Sequence, residues 1–175
     1  MKKILVFVSS LDGKITKWDD PEVRIWTSAS DQEYFKNLWL RSALVVMGRK
    51  TYETNPVRPS ENQLIIIMTR SPEIYKDSEV KGMLEFRNDT PIKLVTKYED
   101  EGYPMMTIVG GGKLATSFLK DKLIDELWLT IEPRIFGMGA NIVTNEKLDI
   151  SLQLISCENA NENGTLITKY SIIKE

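Results

Sequence analysis

The sequence predicts an α/β fold with three layers: a mostly parallel central sheet, extended by a C-terminal antiparallel hairpin, with helices on both faces. Two observations carry this expectation. Over the first two-thirds of the 175 residues, short runs rich in β-branched residues alternate with segments of helical spacing, the pattern of strand-helix-strand crossovers. Beyond about residue 120 the alternation stops, and strand-like runs follow one another, the last two joined by the polar connection "ENANENG", as in an antiparallel pair.

Each element has its own signal. Ile4 to Val8 is an apolar run that reads as a first strand; five apolar residues before Ser9 and Ser10 are too few for a secretory h-region or a spanning helix. In "TSASDQEYFKNLWLRSA", Tyr34, Leu38 and Arg41, with Phe35 and Trp39, recur at helical spacing. Ser28 or Ser30 suits the N-cap, and Asp31 sits in the first turn, where a negative charge complements the helix dipole. Leu44 to Met47 is a second strand, Gly48 opens a short helix, and "TNPVRPSEN" (54–62) is loop. Leu64 to Met68 is a third strand, Pro91 to about Glu101 a helix, Met106 to Val109 a strand, and Gly112 to Leu119 a helix. Glu126 to Ile131, Leu152 to Cys157 and Thr165 to Ile173 are the closing strands. No repeat or linker composition interrupts them, so residues 1–175 form one domain, large enough for a real core.

Composition narrows the function classes. Lys and Arg total 23 against 25 Asp and Glu, which gives no electrostatic bias toward nucleic acid or a membrane surface and leaves small molecules as the expected partners. There is no histidine, so the usual zinc sets and any histidine acid, base or triad are missing, and no metal is expected. The single Cys157 cannot form an internal disulfide, which fits a reducing cytoplasm.

Four short motifs fall at strand ends, where open α/β sheets bind ligands. "SSLDGKI" (9–15) follows the first strand and by itself reads as an Asp-Gly turn. In "VVMGRKTYE" (45–53), Gly48 permits close approach, and Arg49, Lys50 and Thr51 open a helix whose free N–H groups attract anions. "MTRS" (68–71) offers Thr69, Arg70 and Ser71 to an anion. In "IVGGGKLA" (108–115), a strand runs through Gly110, Gly111 and Gly112 into a helix, either as a tight crossover or as a backbone cradle for a pyrophosphate. Together they suit a ligand with more than one phosphate.

These segments, with "IVGGGKLATSFLKDKLIDELWLTIEPRIFG" and the C-terminal hairpin, resemble the dihydrofolate-reductase-like superfamily, and more closely the C-terminal reductase domain of the bifunctional riboflavin-biosynthesis deaminase-reductase. The resemblance in motif order spans about residues 3 to 173. It implies a dihydrofolate-reductase-like fold and an NADPH-dependent reductase acting on a pyrimidine- or pterin-type ring. By the same resemblance Gly48, Arg49, Lys50 and Thr51 meet the cofactor phosphates, with Thr69, Arg70 and Ser71 near the adenosine 2'-phosphate. Gly110, Gly111, Gly112, Lys113 and Leu114 cradle the pyrophosphate and ribose, and Ser10, Leu11, Asp12 and Ile15 lie near the nicotinamide. Asp31, four residues before Phe35, matches the carboxylate that binds the pterin amidine in dihydrofolate reductases and is the expected catalytic residue, with Trp26, Tyr34 and Phe35 walling the substrate ring. Riboflavin-pathway reductases usually carry an acidic residue before a proline after the second strand; here Asn55 precedes Pro56. True dihydrofolate reductase activity and a catalytically inactive nucleotide-binding dimer are the alternatives. A homodimer through the C-terminal strands is expected by resemblance alone.

Overall fold

In the computed structural model, residues 1–174 are described. An eight-stranded sheet runs β1 (Lys2–Ser10), β2 (Leu44–Gly48), β3 (Leu64–Met68), β4 (Leu84–Arg87), β5 (Met105–Val109), β6 (Glu126–Glu132), β7 (Leu152–Asn159) and β8 (Leu166–Ile172) along the chain. In space the order is β4-β3-β2-β5-β1-β6-β8-β7. The six strands β1 to β6 pair in parallel, and β8 and β7 close the far edge as an antiparallel pair. The expected strands are present, most of them a residue or two longer than their sequence signals, and β4 is an addition.

The parallel strands are buried on both faces, which is why they read as continuous apolar runs. Leu44, Val45, Val46, Ile65, Ile66 and Ile67 have no exposed surface. Alternate residues serve opposite faces. Leu5, Leu44, Val46 and Ile66 share one core with residues of helices α3 (Pro91–Asp100) and α4 (Gly112–Lys120). Ile4, Val45, Ile65 and Ile67 share the other with Leu38 of α1 (Ala29–Arg41). The three layers follow from that division. Helix α2 (Arg49–Thr54) is a short turn after β2. No described helix is long and apolar enough to cross a membrane.

The chain steps outward from β1 to β2, β3 and β4, then returns through α3 to place β5 between β2 and β1. The carboxyl ends of β1, β2, β3, β4 and β5 therefore point the same way, and their following loops gather along one rim. A long irregular segment between β6 and β7 folds back to that rim, tied to the β1 loop by the Lys14 to Asn141 bridge and by the Ala140 N–H donating to Thr16 Oγ1 at 2.8 Å.

Candidate active site

A cleft of about 1800 Å³ opens along this rim. That exceeds the few hundred to roughly 1000 Å³ of an ordinary small-molecule pocket and leaves room for a dinucleotide together with a second molecule.

At one end, α2 and α4 present their N-termini side by side. They follow β2 and β5, which are neighbours in the sheet with Met47 paired to Val109. The cap positions are Gly48 and Gly111, and neither contributes a side-chain hydrogen bond. Among the described residues no side chain accepts from the first-turn amides of either helix, and the dipole of α4 favours an anion there. The two turns touch: a Cβ on Gly110 would lie 2.8 Å from Thr51 Oγ1 and Cγ2, and one on Gly48 would lie 4.0 Å from the Gly110 carbonyl. Around them Lys50, Arg70 and Lys113 are exposed on the cleft and form no ion pair among the described residues. Thr69, buried at the end of β3, turns its Oγ1 back to accept the Ser71 N–H at 3.2 Å.

At the other end stands Asp31. Its backbone N–H donates to Ser28 Oγ at 3.2 Å, so Ser28 is the N-cap of α1 and the first turn is closed by its own chain. The carboxyl group is buried, and burial pushes it up to about 6 from the usual 3.8. The neighbouring Thr130 hydroxyl opposes that shift, the Glu132 charge adds to it, and the Thr27 hydroxyl opposes it again. Tyr34 and Phe35 line the same end of the cleft. The Tyr34 hydroxyl is buried without a partner among the described residues, and burial pushes it up to about 12. Phe35 is partly exposed and leans on Trp39, with ring centroids 5.9 Å apart.

Of the expected site residues, the cleft brings together Ile15, Asp31, Tyr34, Phe35, Gly48, Arg49, Lys50, Thr51, Thr69, Arg70 and Gly110 to Leu114. It does not bring in Ser10, Leu11, Asp12, Ser71 or Trp26. Trp26 is 2% exposed and packs edge-on against Phe136, with ring centroids 5.1 Å apart. Asp12 is a latch: it accepts the Ser10 hydroxyl at 2.6 Å and the Phe136 and Gly137 N–H groups at 3.1 and 2.7 Å. These bonds, that of Ser10 foremost, hold its carboxyl down at about 2. Arg49 is also occupied, pairing with Glu53 one turn on at 2.7 Å.

The triple glycine has a structural explanation that involves no ligand. Gly110 and Gly111 have φ of 73° and 88°, which side chains rarely adopt. A Cβ on Gly112 would sit 2.5 Å from the Asn141 carbonyl oxygen. What comes close at Gly110 is Thr51, and at Gly112 the segment after β6. Gly139 to Asn141 and Val143 to Asn145 of that segment line the cleft, as do Thr130 and Arg87, none of which stands in a recognisable motif. Gly137 and Gly139 in "IFGMGANIV" were the only local signal.

The RibD C-terminal domain model matches residues 2–166. The chain belongs to that family. Among relatives of this RibD C-terminal domain, the uncharacterized protein YwjB of Bacillus subtilis (strain 168) is 29% identical over 155 residues, covering 83% of this chain and 86% of YwjB. The bifunctional dihydrofolate reductase-thymidylate synthase of Zea mays is 28% identical over 121 residues, 60% of this chain but only 22% of that protein. A pyrimidine reductase-like protein of Corynebacterium diphtheriae superposes with a TM-score of 0.78 at 13% identity, covering 99% of this chain and 92% of that one. The deaminase/reductase of Thermotoga maritima gives 0.73 at 14% identity, with 97% of this chain covering 56% of that protein. Dihydrofolate reductase of Enterococcus faecalis, solved with NADP(H), gives 0.66 at 19% identity and covers 99% and 97%. The structures establish a dihydrofolate-reductase-like fold, and family membership points to a reductase-type oxidoreductase.

Proposed function

We propose that the chain is an NADPH-dependent reductase that delivers a hydride to an electrophilic ring carbon, such as that of a C=N bond, in a pyrimidine- or pterin-type substrate. Its reaction is most like that of a 5-amino-6-(5-phosphoribosylamino)uracil reductase. The observation that carries this reading is the pair of adjacent, uncapped helix N-termini at the ends of β2 and β5. Two sets of amides without side-chain acceptors, with Lys50, Arg70 and Lys113 around them, fit a diphosphate bearing a further phosphate better than any single anion. Reduced nicotinamide supplies the hydride when bound.

The chain's own residues supply the rest. Arg70, following the end of β3, suits the 2'-phosphate, and Lys113 suits the diphosphate. Asp31 anchors substrate N–H groups at the far end of the cleft, and a carboxyl poised near 6 can hold or release a proton at neutral pH. Phe35 gives the ring an apolar wall, and burial at Asp31 keeps water from that carboxyl. A second reading, reduction of dihydrofolate itself, is favoured by Asp31 four residues before Phe35 and by Asn55 in place of a carboxylate. The unpaired edge of β7, with Leu152, Leu154 and Ile155 exposed, supports a homodimer through the C-terminal strands, which light scattering checks. We place the protein in the cytoplasm, where the exposed Cys157 stays reduced.

Thermal unfolding with NADPH tests the cofactor reading. At a hundredfold excess over Kd the folded state gains about 2.7 kcal/mol, a shift of several degrees. No shift at about 1 mM NADPH sinks the proposal. NADPH oxidation with dihydrofolate and with the ribosylamino-pyrimidine then separates the two substrate readings.

A further inference from the structure

Glu132 is a buried carboxylate that the proposed chemistry does not use. It ends β6 and is 3% exposed. It has no ion-pair partner among the described residues. Its two oxygens are divided: Oε1 accepts the Ser28 N–H at 2.7 Å, and Oε2 accepts the Thr165 hydroxyl at 2.8 Å. Ser28 is the cap of α1, and its own Oγ takes the Asp31 N–H. Thr165 is in turn held by Asn161, whose Nδ2 donates to Thr165 Oγ1 at 2.9 Å. Glu132 therefore joins the first turn of α1 both to β6 and to the β7-β8 connection.

A glutamine could make both bonds, accepting from the Ser28 amide and donating to the Thr165 oxygen. What glutamate adds over glutamine is charge, and burying charge without a cation is costly. Two things offset that cost here, the positive end of the α1 dipole and the two donated bonds. The residue on which that charge bears is Asp31, one hydrogen-bonded link away: Glu132 holds the Ser28 N–H at 2.7 Å, and Ser28 Oγ holds the Asp31 N–H at 3.2 Å; Thr130 and Glu132, two residues apart on β6, face the same way. Other charged or titratable groups lining the cleft from this side include Tyr34, Glu33 and Lys36 of α1 and Asp19 and Arg24 of the loop before it, and Glu158 of β7 acts on Tyr34.

We propose that Glu132 is a positioning residue for Asp31: it locks the first turn of α1 against β6 and sets a negative charge behind the Asp31 carboxyl. This rests on the reading of Asp31 as the substrate-anchoring group, yet its test needs no substrate.

The test is a carbon-detected NMR titration of the Asp31 carboxyl, assigned with Asp31→Asn, in the intact chain and in Glu132→Gln. The expected result is a lower midpoint in the variant, with proton affinity reduced about threefold to tenfold. An unchanged midpoint overturns the proposal. In Glu132→Ala the Ser28 amide should exchange with solvent at least about tenfold faster, because its acceptor is gone; unchanged protection also overturns it. Should Glu132→Ala fail to fold, the Glu132→Gln titration decides alone. A wrong reading of Asp31 would show differently, as full turnover in Asp31→Asn with the titration result intact.

Discussion

At the N-terminus of α1, the protein supplies its own oxygens: Ser28 Oγ takes the Asp31 amide, and Glu132 takes the Ser28 amide. At α2 and α4, Gly48 and Gly111 hold the cap positions and supply none. Helix α3 resembles α1, with Thr90 as its cap and Pro91 after it. So two helices are closed and two are open, and the open ones are those that meet at the ends of neighbouring strands in the cleft. The contrast shows that a helix N-terminus can either hold a buried carboxylate in register or be left available to an anion from outside. Both uses sit at opposite ends of one cleft.

The closed end is the more sensitive to substitution. Asp31→Asn should lower kcat/KM by about 10² to 10⁴, in the range of lost proton transfer and anchoring, with NADPH affinity unchanged. Loss of both together would merge the two ends into one site. The same variant has a stability signature whose sign is fixed. The folded Asp31 carboxyl is raised to about 6 by burial, so the native state binds a proton more tightly than the unfolded chain. Its contribution is fully present below about 4 and is lost as pH rises through 6, by up to roughly 3 kcal/mol. Asp31→Asn should therefore gain stability over the wild type as pH rises from about 4 to 7, by about 1 to 3 kcal/mol in urea unfolding. A constant difference across that range would show that Asp31 is not buried as described.

At the open end, the glycines separate packing from binding. Gly112→Ala should cost about 2 to 3 kcal/mol, because its Cβ would meet the Asn141 backbone oxygen at 2.5 Å. Gly111→Ala should cost only about 1 to 2 kcal/mol, from its φ of 88°, since its Cβ would find only ordinary contacts at 3.9 Å. Equal costs would mean that the segment after β6 does not press on α4. Cofactor choice depends on Arg70: Arg70→Ala should weaken NADPH about threefold to tenfold more than NADH, by loss of a charge-assisted contact to the 2'-phosphate. Equal weakening in a binding titration would place Arg70 elsewhere.

Much of this was legible in the sequence, for local reasons. The central strands are unbroken β-branched runs because they are buried on both faces, and Ser28 and Asp31 follow ordinary helix-start chemistry. Strand β4 was not legible, because it has four residues and two of them are Glu85 and Arg87; the buried Glu85 is tolerated through the Gly82 N–H, at 3.0 Å, and through Arg87. The "SSLDGKI" motif was visible as a turn, but its Asp12 binds amides more than 120 residues away. Thr130 and Glu132 meet Asp31 from a strand about a hundred residues later, which no spacing rule reports. The triple glycine was conspicuous, yet two of its three positions answer to Thr51 and Asn141 of the fold itself.

If the proposed function holds, the open N-termini of α2 and α4 together receive the cofactor phosphates. Titrating NADPH into the isotopically labelled protein and following backbone amide resonances tests it most directly. The expected result is saturable shifts that are largest at Lys50 and Thr51 and at Gly112 to Leu114, rising with one common affinity. Saturable shifts that leave either helix N-terminus unmoved would contradict it.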